Sequence, residues 1–198
     1  MEPKIVEEHV VPAVAKTTPL VVTNFAHPAR NVERFGVQPT MKVADFGAGS
    51  GAYTMELAKA VGSAGRVYAV DVQKDLLRRI KNNAELMGLK NVDILWGDVE
   101  ILGSTKIADK IIDLVLISNL LFQLSDKSKP LTEARRILKQ NGKLVLIDWS
   151  ESFGGMGPQP EDVVEKDIAI ELAKSAGFEL LREFEAGAHH YGLIFKAP

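Results

Sequence analysis

The residues best suited to chemistry begin at Asp45. It is followed by Gly47, Ala48, Gly49 and Gly51 in "DFGAGSGAY", between an apolar run and a helical pattern. A strand feeding a glycine-rich turn feeding a helix is a nucleotide-binding device. Glycine lets a ligand approach the backbone and supplies positive φ where a tight turn requires it. A phosphate-gripping loop needs G-x-x-x-x-G-K-[ST], and no lysine follows Gly51, which excludes a triphosphate site. The dinucleotide fingerprint G-x-G-x-x-[GA] is met literally by Gly47, Gly49 and Ala52. Three features weigh against it. Asp45 tends to repel a pyrophosphate and attract an ammonium group. Gly51 makes a strict G-x-G-x-G spacing that dinucleotide folds do not require. Asp98, after Gly97 in "WGDVE", offers a carboxylate that can accept a hydrogen bond from an adenine amino group. Asp71 closes the apolar run "RVYAVD", where either cofactor class uses an acid to hold ribose hydroxyls, so it does not discriminate between them.

The elements that position these residues follow from periodicity. "MKVADF", "RVYAVD", "VDILWGD", "IIDLVLIS" and "KLVLID" are short apolar runs bounded by turn residues, hence buried strands. Between them, "AYTMELAKAVG", "KDLLRRIKNNAELMG" and "KSKPLTEARRILKQNG" carry helical spacing. The apolar face of the second of these is expected at Leu76, Leu77, Ile80, Ala84 and Met87. "EDVVEKDIAIELAKSAG" is a further helix, and Val99–Lys110 has room only for a short one. "FELLREFEAG" and "HHYGLIFKA" are strands too close together for a crossover helix, so they form an antiparallel hairpin. The expected fold is α/β: a doubly wound, mostly parallel seven-stranded sheet ending in a C-terminal hairpin. Residues 1–35 are expected to form an N-terminal arm and a short helix ("HPARNVERFG"), and residues 36–198 the nucleotide-binding domain.

This topology puts further residues on the ligand face. The hairpin tip presents His189, His190 and Tyr191 as candidates to bind or deprotonate a substrate, since histidine titrates near neutral pH. Neighbouring strand residues face opposite ways, so one histidine of the pair is expected to reach the pocket. Asp148 and Glu151 follow the fifth strand. Trp149 and Phe153 could stack on a planar molecule, and "FGGMGPQP" could gate it. The clusters Arg78, Arg79, Lys81 and Arg135, Arg136, Lys139 are read as solvated helix surface.

Composition narrows the classes. The 198 residues carry a formal net charge of −2, which gives no general attraction to nucleic acid or anionic lipid. No run approaches the roughly 18 apolar residues of a membrane span. The acidic, proline-bearing start does not resemble a signal peptide, so a cytoplasmic location is expected. The absence of cysteine excludes disulfides, cysteine–zinc sites and thiolate nucleophiles.

"VADFGAGSG", "VYAVD", "WGDVE", "IIDLVLISNLLFQL" and "NGKLVLIDW" together resemble the successive motifs of class I S-adenosylmethionine-dependent methyltransferases, above all the ubiquinone/menaquinone-biosynthesis type. The resemblance covers about Arg34 to Lys196. It implies S-adenosylmethionine as cofactor, with Gly47–Gly51 against its methionine part and Asp45 helping to hold its ammonium. It also implies that Asp71, with Val72, binds the ribose, and that Gly97, Asp98 and Val99 surround the adenine. Ser118 and Asn119 would lie beside the reactive methyl. The expected activity is methyl transfer to a small-molecule acceptor. Alternatives are a protein or RNA acceptor, a non-catalytic cofactor-binding module, and an NAD-type oxidoreductase; a homo-oligomer is also compatible. "SNLLF" departs from the [DNS]-P-P-[YF] motif of amino-group methylating members, and arsenic or pyrimidine carbon-5 methylation would need cysteines.

Overall fold

The computed structural model describes residues 26–155 and 157–198, so the expected arm lies almost wholly outside them. Strands β1 (Lys42–Phe46), β2 (Arg66–Asp71), β3 (Val92–Trp96), β4 (Ile112–Ser118), β5 (Leu138–Trp149), β6 (Glu179–Gly187) and β7 (His190–Lys196) form one sheet, in the order β3-β2-β1-β4-β5-β7-β6. β1 to β5 pair in parallel, whereas β7 is antiparallel to both β5 and β6. The chain winds outward from β1 through β2 to β3, then returns to β4 on the other side of β1. The carboxyl ends of β1 and β4 therefore flank the switch point where such sheets bind ligands.

Helices cover both faces. On one face Val43, Leu116, Val145 and Ile147 pack against Val32 and Phe35 of α1 (Pro28–Phe35) and Leu57 and Val61 of α2 (Ala52–Val61). On the other, Phe46, Ile117, Leu146 and Leu193 pack against Leu131 and Ile137 of α4 (Lys129–Ile137) and Ala169 and Ala173 of α5 (Lys166–Ser175). α3 (Lys74–Leu86) buries Leu77, Ile80 and Ala84 against Ala69. Central β4 is apolar on both sides because both are covered, while β3 lies at the sheet edge and is only half-buried. The helix expected over His27–Gly36 is built into the core, with Phe35 fully buried. No helix of the described residues is long and apolar enough to cross a membrane.

Several boundaries differ from expectation. Met87 is exposed, because α3 ends before it and Gly88 turns the chain away at positive φ. β5 starts at Leu138, so "LKQNG" leaves the helix early. Leu138 pairs with Ile112 and is buried, and a register shift with Asn141 at φ 62 takes up the mismatch. α5 starts at Lys166 because Val164 is drawn into the core and its carbonyl accepts the Tyr191 hydroxyl. Residues 99–110 form turns rather than a helix. Their backbone is tied instead to Glu133 of α4, which is 0% exposed and accepts hydrogen bonds from the Gly103 N–H, the Thr105 hydroxyl and the Arg136 guanidinium. Arg136, read as solvated surface, thus reaches inward.

Removing Glu133 strands those donors beside the half-buried Arg136 guanidinium, whose remaining ion pair among the described residues is with Asp109. Glu133→Ala is expected to lower the unfolding free energy by about 3 kcal/mol. Urea denaturation checks this, and a loss below about 1 kcal/mol would show that the network contributes little beyond geometry.

Candidate functional site

The glycine turn is held from the neighbouring strand. The N–H groups of Gly47 and Ala48 both donate to the Val70 carbonyl, and Gly51 donates to Ala48. Gly47, Gly49 and Gly51 all take positive φ. A Cβ at Gly47 would come within 2.8 Å of Leu120, and one at Gly51 within 2.7 Å of Ile80. Gly47 therefore admits the opposite wall of the site, and Gly51 admits α3 to the foot of α2. Asp71, buried at the end of β2, accepts the Gly49 N–H at 2.9 Å and the Gln73 N–H at 2.8 Å. Asp45 is 2% exposed and accepts the Thr54 hydroxyl at 2.6 Å. Burial pushes its carboxyl up to about 7; the Thr54 bond opposes that shift and the Asp71 charge adds to it.

Two compartments open above this floor, each of about 320 Å³. The first is lined by Asp71, Val72, Gly97, Asp98 and Val99, the second by Asp45, Ala48, Ser118 and Asn119. Gly47, Gly49 and Gln123 line both. Gly51 lines neither. Gly97 is needed for packing, since a Cβ there would sit 2.6 Å from the Ser104 carbonyl oxygen. The Asp98 N–H donates to Ser104 Oγ, and its Oδ1 accepts the Glu100 N–H.

Gln123, which lines both compartments, ends a 3-10 turn, Leu121–Gln123, that periodicity does not reveal. Asn119 enters it at φ 53, donating its N–H to the Ile147 carbonyl and accepting Gln123 Nε2 on its own carbonyl. Its side-chain Oδ1 is buried with no hydrogen-bond partner. Asp148 anchors the turn from β5. It is buried, accepts the Leu121 N–H at 3.1 Å and the Trp149 N–H at 2.9 Å, and burial pushes its carboxyl up to about 6 against those bonds. It is thus a support beneath the site, not an acid facing a substrate. Tyr53, Gln123 and Leu120 also line the site and were not singled out from sequence. Tyr53 had a signal in its place directly after the glycine turn.

The hairpin tip does lie at the ligand end of the sheet, but neither histidine lines either compartment. His189 stacks on Phe153 and pairs with Glu151 through Nδ1 at 2.7 Å. His190 is 4% exposed and packs against Trp149, and neither ring nitrogen has a hydrogen-bond partner. Burial, with His189 adjacent, pushes its pKa down to about 4, so it is neutral and weakly basic at pH 7, contrary to the expectation of a near-neutral base. It lines a separate cavity of about 640 Å³ with Ser150, Lys166 and Glu185. Tyr191 is occupied with the Val164 carbonyl. Trp149 lies beneath Gly157, where a Cβ would come within 2.7 Å of its ring.

Asp45 makes the ligand-free protein pH-sensitive. Its folded pKa lies above the unfolded value, so the stability tied to its proton is full below about 4 and lost as pH rises through about 7. Asp45→Asn keeps an acceptor for Thr54 and is expected to remove up to about 4 kcal/mol of that loss. Urea denaturation at pH 4 and pH 8 measures it; equal pH dependence in both proteins would show that Asp45 is ionised throughout.

The family model for a methyltransferase domain matches residues 38–192. An arsenite methyltransferase from Aquipseudomonas alcaligenes is 36% identical over 134 residues, covering 62% of this chain and 38% of that protein. A ubiquinone/menaquinone biosynthesis C-methyltransferase from Hydrogenovibrio crunogenus is 33% identical over 121 residues, covering 61% of this chain and 46% of that one. The chain thus matches less than half the length of these two relatives. A solved structure of a SAM dependent methyltransferase from Aquifex aeolicus superposes with a TM-score of 0.79 at 30% identity, covering 86% of this chain and 89% of the other. With a match running from the approach to β1 into β7, over the turn and both compartments, the chain belongs to the methyltransferase-domain family.

Proposed function

We propose that the protein transfers a methyl group from S-adenosylmethionine to a small-molecule acceptor. The observation that carries this reading is the pair of compartments meeting at Gly47 and Gly49, with Asp45 in one and Asp71 and Asp98 in the other. The residues fit the donor. Asp45 is a buried carboxyl whose ionised form needs a nearby cation, and Asn119 Oδ1 is an acceptor in want of a donor. When bound, S-adenosylmethionine supplies a methyl on positively charged sulfur, whose bonding pair returns to sulfur as the acceptor's pair takes the carbon.

The chain's part is to hold and orient. Asp71 keeps lone pairs for the ribose diol beyond its two backbone bonds, with Val72 alongside it. Gly97, Asp98 and Val99 form the adenine wall, Asp45 faces the ammonium, and Ser118 and Asn119 stand at the methyl. Much of the rate in such a transfer comes from positioning, so no residue here is assigned as a general base. His189 and His190, outside both compartments, are given no step. A small acceptor is favoured over RNA because none of the described residues lining either compartment is Lys or Arg. Arsenite as acceptor is disfavoured, since the chain has no cysteine to hold it as thiolates.

Calorimetry with S-adenosylmethionine, S-adenosylhomocysteine and NAD tests the reading. The first two are expected to bind and NAD is not; NAD binding alone would overturn it. Asp71→Asn is expected to weaken donor binding by about 1–3 kcal/mol. Donor affinity should also fall as pH drops below 7, by up to about tenfold per unit, because Asp45 must release its proton to face the ammonium. A flat profile between pH 6 and 8 would remove Asp45 from that role.

A further inference from the structure

We infer that the Tyr53 hydroxyl, fixed by Asn31, belongs to an oxygen-lined pocket that prefers the donor's charged sulfonium to the neutral thioether left after transfer. This rests on the donor reading above and concerns a residue to which that reading gives no role.

The pocket is the Asp45 compartment. The side chains of Asp45, Tyr53, Ser118 and Asn119 all bring oxygen to it, and none of its described lining residues is Lys, Arg or His. Tyr53 is tightly held. Its ring stacks on Phe35 with centroids 6.2 Å apart, and its hydroxyl accepts Asn31 Nδ2 at 2.8 Å. The Asn31 amide has a settled orientation, because the same nitrogen donates at 2.8 Å to the Ala186 carbonyl on β6. Asn31 is 3% exposed, which is a poor place for an amide unless it supports something. The run from Ala186 through Asn31 to Tyr53 therefore pins one phenolic oxygen at the compartment wall. Burial pushes the Tyr53 pKa up, so the group is a neutral hydroxyl with its negative dipole end fixed.

Oxygen dipoles attract a positive charge and polarised C–H groups in a poorly solvated space, and do much less for a neutral thioether. Methyl transfer removes that charge. A wall of this kind holds the substrate form of the cofactor and loosens on the product form.

The test is calorimetry at pH 8 on the full chain with S-adenosylmethionine and S-adenosylhomocysteine. Tyr53→Phe keeps the ring on Phe35. It is expected to weaken S-adenosylmethionine binding about two- to fivefold while leaving S-adenosylhomocysteine binding unchanged. Asn31→Leu, which releases the hydroxyl without touching the compartment, should reproduce this selective loss. Equal loss for both ligands would assign Tyr53 a purely structural role and overturn the inference, as would no loss for either. If the unaltered protein binds neither ligand, the donor reading fails first and this inference with it.

Discussion

The site depends on a single carboxylate. Asp71 ends β2 yet spends both oxygens on backbone N–H groups from different loops, Gly49 in the turn after β1 and Gln73 in the turn before α3. This clamp joins the two loops that floor the groove. Charge-assisted bonds of this type are about twice as strong as neutral ones, and here they act where the chain has no regular structure to hold it. The glycine turn owes its shape as much to this acid and to the Val70 carbonyl as to its own glycines.

Further acids support the walls of the groove. Asp148 holds the turn carrying Leu120 and Gln123. Glu133 holds residues 103–105, beside which Gly97 and Asp98 are packed. Glu100 joins the two walls by accepting from the Ser125 hydroxyl and the Asp126 N–H. Burying a carboxylate is costly unless its lone pairs are filled, and those of Asp148 and Glu133 take N–H and O–H donors from neighbouring segments. Irregular segments are thereby held nearly as firmly as helices.

The parallel strands, the terminal hairpin and the placing of Asp45, Asp71 and Asp98 at strand ends were legible because each depends on local pattern: an apolar run, then a small or acidic residue where the strand ends. What was not legible depends on direction. An acid after β5 reads the same whether its carboxylate points to solvent or, as in Asp148, back under the next turn. "HHY" at the hairpin tip marks the right end of the sheet, but the β5–β7 pairing seats His190 against Trp149 instead of over the groove. Tyr53 reads as one apolar residue of a helix, and only the meeting of α1, α2 and β4 gives its hydroxyl neighbours. Leu138 left the helix for the same reason, since a partner in β4 outweighed local helical spacing.

The change of winding direction at β1 divides the labour along the chain. The acids proposed to hold the donor come from β1 to β3 and the loops behind them, whereas the 640 Å³ hollow beside His190 is made from β6, β7, α5 and the turn after β5. Insertions or exchanges in the C-terminal third can remodel that hollow while the Asp71 clamp stays intact.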